Sequence, residues 1–227
     1  MSSSGPSGLA VVFDMDGVLV DSYRPHLESW RAAAREAGIE ITDEQFATTF
    51  GRTSREIIAH FWGAELSPEE MRRIDDRKEA LYRDIIRKDF PAMDGAVELI
   101  DALRDAGFRL AVGSSGPPEN IALSTALLGR AASFEVVVTG RDVTRGKPDP
   151  QVFLVAAERL GIAPKRCAVV EDAPAGVAAA NAAGMASIAL LGTASREKLA
   201  EALLIVHSLR ELSPASIRSL LREPSRG

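Results

Sequence analysis

The sequence predicts an α/β protein, a parallel sheet with helices on both faces, carrying an inserted all-helical module. Three observations predict it. From Asp94 onward, short apolar runs alternate with helical stretches, the order of a parallel sheet built from crossover units. The runs are apolar throughout and not every second residue, as in strands covered on both faces. Between Arg24 and Lys88, by contrast, no strand-like run occurs, and apolar residues recur at helical spacing.

The first strand is Leu9-Ala10-Val11-Val12-Phe13, a continuous apolar run. The helical insert follows. Leu27, Trp30, Ala33, Ala34 and Ala37 form one stripe, then Phe46, Thr49 and Phe50, then Ile57, Ile58, Phe61 and Trp62. Met71, Ile74, Leu81, Ile85 and Ile86 complete it, with Gly38, Gly51, Gly63 and Pro68 as punctuation. Beyond the insert the spacing predicts a helix over 95–106, a strand over 108–113, a helix over 118–128, a strand over 134–138 and a helix over 150–160. A strand over 166–170, a helix over 174–183, a strand over 186–191, a helix over 195–200 and a short strand over 203–206 follow. The expected division is a flexible Ser/Gly/Pro-rich leader at 1–8, a catalytic core at 9–22 and 92–222, and a helical cap at 23–91.

Bulk properties narrow the function classes. The 227 residues suffice for one core plus a small lid, and 46% hydrophobic with 26% charged residues is the balance of a globular protein. A net charge of −5 without a basic run gives no footprint for nucleic acid. No apolar stretch approaches the ~20 residues of a membrane span, and no secretion signal opens the chain. The single cysteine, Cys167, cannot form an internal disulfide and reads as a buried small residue. A cytoplasmic protein acting as a monomer, with no nucleic acid or membrane partner, is expected.

Chemistry concentrates at the ends of predicted strands. After Phe13 come Asp14 and Asp16, one residue apart, then Gly17. These are ordinary turn formers. They are also two like charges whose repulsion a divalent cation would relieve, and magnesium favours oxygen ligands. The strand at 109–113 ends in Ser114-Ser115-Gly116, with Pro117-Pro118 opening a helix, an arrangement suited to an anion or simply to a cap. In Gly146-Lys147-Pro148-Asp149-Pro150, Asp149 and Pro150 read as the N-cap and first residue of a helix, which leaves Lys147 unexplained. The strand at 167–170 ends in Glu171-Asp172, and Pro174 opens an Ala-rich helix.

These four segments, in this order, resemble the four signatures of the haloacid dehalogenase-like superfamily, in its phosphatase and phosphomutase branch. The resemblance covers the chain from Leu9 to about Leu209 and implies a Rossmann-like core. It implies that Asp14 is the nucleophile and that Asp16 is the acid/base. Ser114, Ser115 and Lys147 would hold phosphate, and Asp14, Asp16 (through its carbonyl), Glu171 and Asp172 would hold Mg2+. In sheets of this kind ligands bind beyond the carboxyl ends of the strands, so residues distant in sequence can meet there. The insertion point after Ser22 resembles the helical-cap branch that includes β-phosphoglucomutase, where the cap acts as a lid. His26, with Trp30 one turn on, resembles that enzyme's hinge-side histidine, and Arg55 its phosphate-gripping arginine. Phe50 and Pro117-Pro118 depart from its pattern, which carries polar residues there.

The expected activity is Mg2+-dependent hydrolysis of a small phosphorylated metabolite, such as a sugar phosphate, through an aspartyl-phosphate. The alternatives are a β-phosphoglucomutase-like phosphomutase and, of a different class, a non-catalytic phospho-ligand sensor.

Overall fold

A computed structural model describes residues 8–49 and 51–222; the leader expected at 1–8, apart from Gly8, and Phe50 lie outside the described residues. The chain divides into two compact units, one made of residues 1–21 and 92–227, the other of residues 22–91.

The first unit is built on six parallel strands. These are β1 (Ala10–Phe13), β2 (Arg109–Gly113), β3 (Val136–Val138), β4 (Cys167–Glu171), β5 (Ala186–Leu190) and β6 (Leu204–Val206), in the order β3-β2-β1-β4-β5-β6. β1 and β4 are buried along their whole length, as their uninterrupted apolar runs require. The helices α5 (Ala96–Asp105), α6 (Pro118–Leu127), α7 (Gln151–Leu160), α8 (Pro174–Ala182) and α9 (Pro214–Leu220) complete the unit. Val12, Ala111, Phe153, Ala156, Val169 and Ala180 belong to one core cluster, so α7 and α8 pack on the sheet through small and medium side chains. The order reverses direction at β1, flanked by β2 on one side and β4 on the other. That is the switch point where open α/β sheets place ligands.

The second unit holds α1 (Tyr23–Glu36), α2 (Asp43–Thr49), α3 (Ser54–Trp62) and α4 (Pro68–Lys88) and no strand among its described residues. Capping boxes start α3 (Thr53 with Glu56) and α4 (Ser67 with Glu70, Pro68 following), which satisfies N–H groups that have no helical partner. Leu27, Trp30, Ala34, Phe46, Ile57 and Ile58 form its core.

Three details depart from the sequence reading. No helix forms over 195–200: Lys198 and Ala200 donate to carbonyls three residues back, and the segment closes as tight turns around buried Leu199. α9 lies in a stretch with no predicted element. α7 begins at Gln151, capped by Pro150, so Asp149 stands one residue earlier than expected; its Oδ1 still accepts from the Gln151 N–H at 3.0 Å. Among the described residues no helix is long and apolar enough to cross a membrane.

Candidate active site

The carboxyl ends of β1 and β4 bring Asp14, Glu171 and Asp172 together, 8%, 1% and 5% exposed. One oxygen of each lies within 4.8 Å of the others. The backbone forces the approach: β1 and β4 pair in register, and the Asp14 N–H donates to the Val170 carbonyl at 3.0 Å. Lys147 enters from the loop before α7. Its Nζ donates to Asp14 Oδ1 at 2.8 Å and to Glu171 Oε1 at 2.5 Å, and it sits 5.0 Å over the Phe153 ring. Glu171 Oε2 accepts from the backbone N–H groups of Asp172 (3.0 Å) and Ala173 (3.2 Å).

Two glycines make room for these carboxylates. Gly17 has φ +74°, and a Cβ there would overlap Asp172 Oδ2. A Cβ at Gly176, in the first turn of α8, would overlap the Glu171 carboxylate.

Three carboxylates share one ammonium, and the electrostatics show the imbalance. Burial, with Glu171 and Asp16 nearby, raises Asp14 from 3.8 to about 7 in spite of Lys147. Burial, then repulsion from Glu171 and Asp14, pushes Asp172 well above its ordinary value, with the Thr193 hydroxyl offsetting part of this. Burial alone would lower Lys147, but Asp14 and Glu171 outweigh it and hold the ammonium charged. An excess of buried oxygen anions of this kind fits a hard divalent cation such as Mg2+.

Ser114 follows β2 and is 2% exposed; its Oγ accepts from the Gly116 N–H at 3.1 Å. Gly116 lies between it and Asp16: a Cβ there would be 3.4 Å from Ser114 Oγ and 3.8 Å from Asp16 Oδ2. Asp16 is half-buried and stands outside the three-carboxylate group. Ser115 is exposed. Cys167 is buried, with its thiol pushed up to about 12 by desolvation, which removes it as a nucleophile.

His26, Trp30 and Arg55 belong to the helical unit. His26 stacks on Tyr82 (4.3 Å between ring centroids), and Lys78 Nζ lies 3.0 Å from its Nδ1. Lys78 is only 3% exposed and also bonds Glu79 Oε1 at 2.8 Å, with its Nζ over the Trp30 and Tyr82 rings. Trp30, at 2% exposure, belongs to the unit's core. Arg55 is exposed and lines a cavity of about 380 Å3 with Ile58, Leu66, Met71 and Asp75. Lys78 and Tyr82 had no place in the sequence reading, although they continue the Met71–Ile74 stripe at helical spacing. A search for apolar periodicity passes over a lysine on the inner face.

A family model described as haloacid dehalogenase-like hydrolase matches residues 9–184. The chain belongs to this family. Hexitol phosphatase A of Escherichia coli (strain K12) is 34% identical over 205 residues, covering 89% of this chain and 92% of that one. Validoxylamine A 7'-phosphate phosphatase of Streptomyces hygroscopicus subsp. limoneus is 32% identical over 204 residues, covering 88% and 94%. The solved structure of β-phosphoglucomutase from Clostridium difficile superposes with a TM-score of 0.82 at 26% identity, covering 94% of this chain and 97% of that one. The parallel six-stranded sheet described above is thus a haloacid dehalogenase-like core.

Proposed function

We propose that this protein is a Mg2+-dependent phosphatase that releases inorganic phosphate from a small phosphorylated carbohydrate. The observation that carries the reading is the Asp14–Lys147–Glu171 network beside Asp172 at the β1/β4 switch point. Lys147 holds one oxygen of Asp14 and leaves the other for attack on phosphorus. The P–O bond to the substrate alcohol breaks, and Asp16 protonates the departing oxygen. Asp16 then takes a proton from water as that water attacks phosphorus and frees Asp14. Ser114 and Lys147 hold the equatorial oxygens, where negative charge spreads during transfer. When bound by Asp14, Asp172, the Asp16 carbonyl and, through water, Glu171, the cation would offset that charge. His26 and Arg55 of the helical unit are assigned to selection of the leaving group; Trp30, expected beside them, is packed into that unit's core and supports them without reaching a substrate. The two phosphatase relatives support a carbohydrate monophosphate as substrate.

The second reading is a phosphomutase, favoured by the structural likeness to β-phosphoglucomutase. Two observations favour hydrolysis. Pro117 and Pro118 open α6, so neither offers an N–H to a second phosphate. Asp75 shares the cavity with Arg55 and opposes a second anion there. The test supplies β-glucose 1-phosphate, Mg2+ and a trace of the 1,6-bisphosphate, with a panel of hexitol and hexose phosphates alongside. Phosphate release without glucose 6-phosphate supports the phosphatase; rapid isomerisation with little phosphate overturns it.

A further inference from the structure

At the edge of the sheet away from Asp14, where the strands begin, the first unit carries a second cavity of about 300 Å3. Its lining includes Leu9, just before β1, and Gly107, just before β2. Gly8, Arg166, just before β4, and Arg218, Leu221 and Arg222, from the last helix and its end, complete it. Three arginines line it and, among the described residues, no carboxylate does, in a chain whose net charge is −5. Among the described residues none of the three forms an ion pair, whereas Arg109 nearby is engaged by Glu135 at 2.7 Å and by the Leu160 carbonyl. Two of the three are held in place through groups that leave donors over. Arg166 uses its Nε on the Gly8 carbonyl at 2.9 Å, which leaves the paired terminal nitrogens. Arg218 spends one terminal nitrogen on the Ala106 carbonyl at 3.2 Å, and its guanidinium stands 4.9 Å over the Phe108 ring. The volume is that of a small-ligand site, and Leu9 and Leu221 give it apolar walls.

We infer that this cavity is a second, non-catalytic binding site for a small phosphate-bearing molecule. Three like charges around one cavity repel each other unless an anion joins them. A phosphate dianion presents three oxygens and can take several guanidinium forks, where a single carboxylate fills one. Leu9 and Asp14 are separated by the length of β1, roughly 16 Å at the rise of a parallel strand, so a ligand here does not touch the nucleophile.

The experiment is calorimetric titration of the whole chain in EDTA with inorganic phosphate, with phenylphosphonate as a non-hydrolysable ester mimic, and with citrate. The variants are Arg166→Gln, Arg222→Gln and Asp14→Asn. The site predicts that phosphate or phenylphosphonate binds, that each arginine substitution weakens binding about tenfold, the scale of one charge-assisted contact, and that this arginine-dependent binding persists in Asp14→Asn. Tighter binding of phenylphosphonate than of phosphate identifies an organic phosphate as the occupant; equal binding identifies the free ion. The inference is overturned if neither phosphate probe binds, if citrate binds more tightly than both, if binding survives both arginine substitutions, or if Asp14→Asn abolishes it.

Discussion

Gly176→Ala offers a sharp test because propensity and site geometry predict opposite signs. Gly176 lies in the first turn of α8, where alanine should stabilise a helix by about 0.5–1 kcal/mol. The added Cβ, however, would overlap the Glu171 carboxylate. Glu171 is 1% exposed and cannot retreat into solvent. To yield, it must give up the Lys147 ammonium at 2.5 Å and two backbone N–H bonds at 3.0 and 3.2 Å. Hydrogen bonds to a charged group contribute about 1.5–3 kcal/mol each, and even one lost gives a net deficit of about 1–2 kcal/mol after the propensity gain. If two are lost the cost is about 3–4 kcal/mol, and kcat/KM falls about a hundredfold, since Lys147 is then displaced from Asp14. The assays are denaturant unfolding and steady-state phosphate release, each repeated on Glu171→Ala. With Glu171 cut back the space is free, so adding Gly176→Ala there should cost nothing or stabilise. A Gly176→Ala enzyme with full activity, or a penalty that persists beside Glu171→Ala, would refute the reasoning.

Asp14→Asn should abolish turnover with the fold intact, since the amide keeps the shape and cannot attack phosphorus; residual phosphatase activity together with a native circular dichroism spectrum would exclude Asp14 as nucleophile. EDTA should silence the enzyme and Mg2+ restore it, while Ca2+, with longer bonds and more ligands, should inhibit; the readout is phosphate release, and activity after exhaustive chelation counts against the cation. Asp14 is raised from 3.8 to about 7, so the folded metal-free chain binds more protons than the unfolded chain across that interval, and its stability should fall as pH rises through it. A cation that pairs with the ionised carboxylates offsets this, so the shift in Tm on adding Mg2+ should grow between about pH 5 and about pH 8; a shift independent of pH would contradict it. Lys78→Met keeps the buried stem but deletes the ammonium joining His26 and Glu79, and should destabilise the helical unit by about 3 kcal/mol in chemical denaturation. A loss below ~0.5 kcal/mol would show that the ammonium contributes packing alone.

The core was legible because the central strands β1, β2 and β4 are built on apolar runs that end abruptly in a residue type a buried strand does not tolerate. Asp14, Ser114 and Glu171-Asp172 stand at such ends, so the feature that locates the strand also locates the site. Lys147 was legible by a different route, as a residue for which the Asp149 turn gave no use. What escaped was whatever depends on contacts between elements. Lys78 continues the inner stripe of α4, but a charged residue reads as an outer face until His26, Glu79 and Tyr82 are seen around it. The three arginines at the other edge of the sheet come from positions 166, 218 and 222, each unremarkable on its own. The tight turns over 195–200 have helix-compatible composition and close on themselves because Leu199 is drawn into the core.

The same contrast bears on why the acidic cluster exists. A fold selected only for stability would not bury Asp14, Glu171 and Asp172 within 4.8 Å of one another around a single lysine. Burial and mutual repulsion make that arrangement unfavourable, as the raised values of Asp14 and Asp172 record. Two glycines are given up to fit the side chains, one of them inside a helix. Each of these local costs is offset only by a positive charge that the chain itself does not supply, and the one ammonium present leaves the cluster short of neutrality. The donor set is oxygen alone, which selects a hard cation over a thiophilic one. The cluster therefore argues for its ligand through its own instability, and the growth of Mg2+ stabilisation with pH tests that argument with no substrate present.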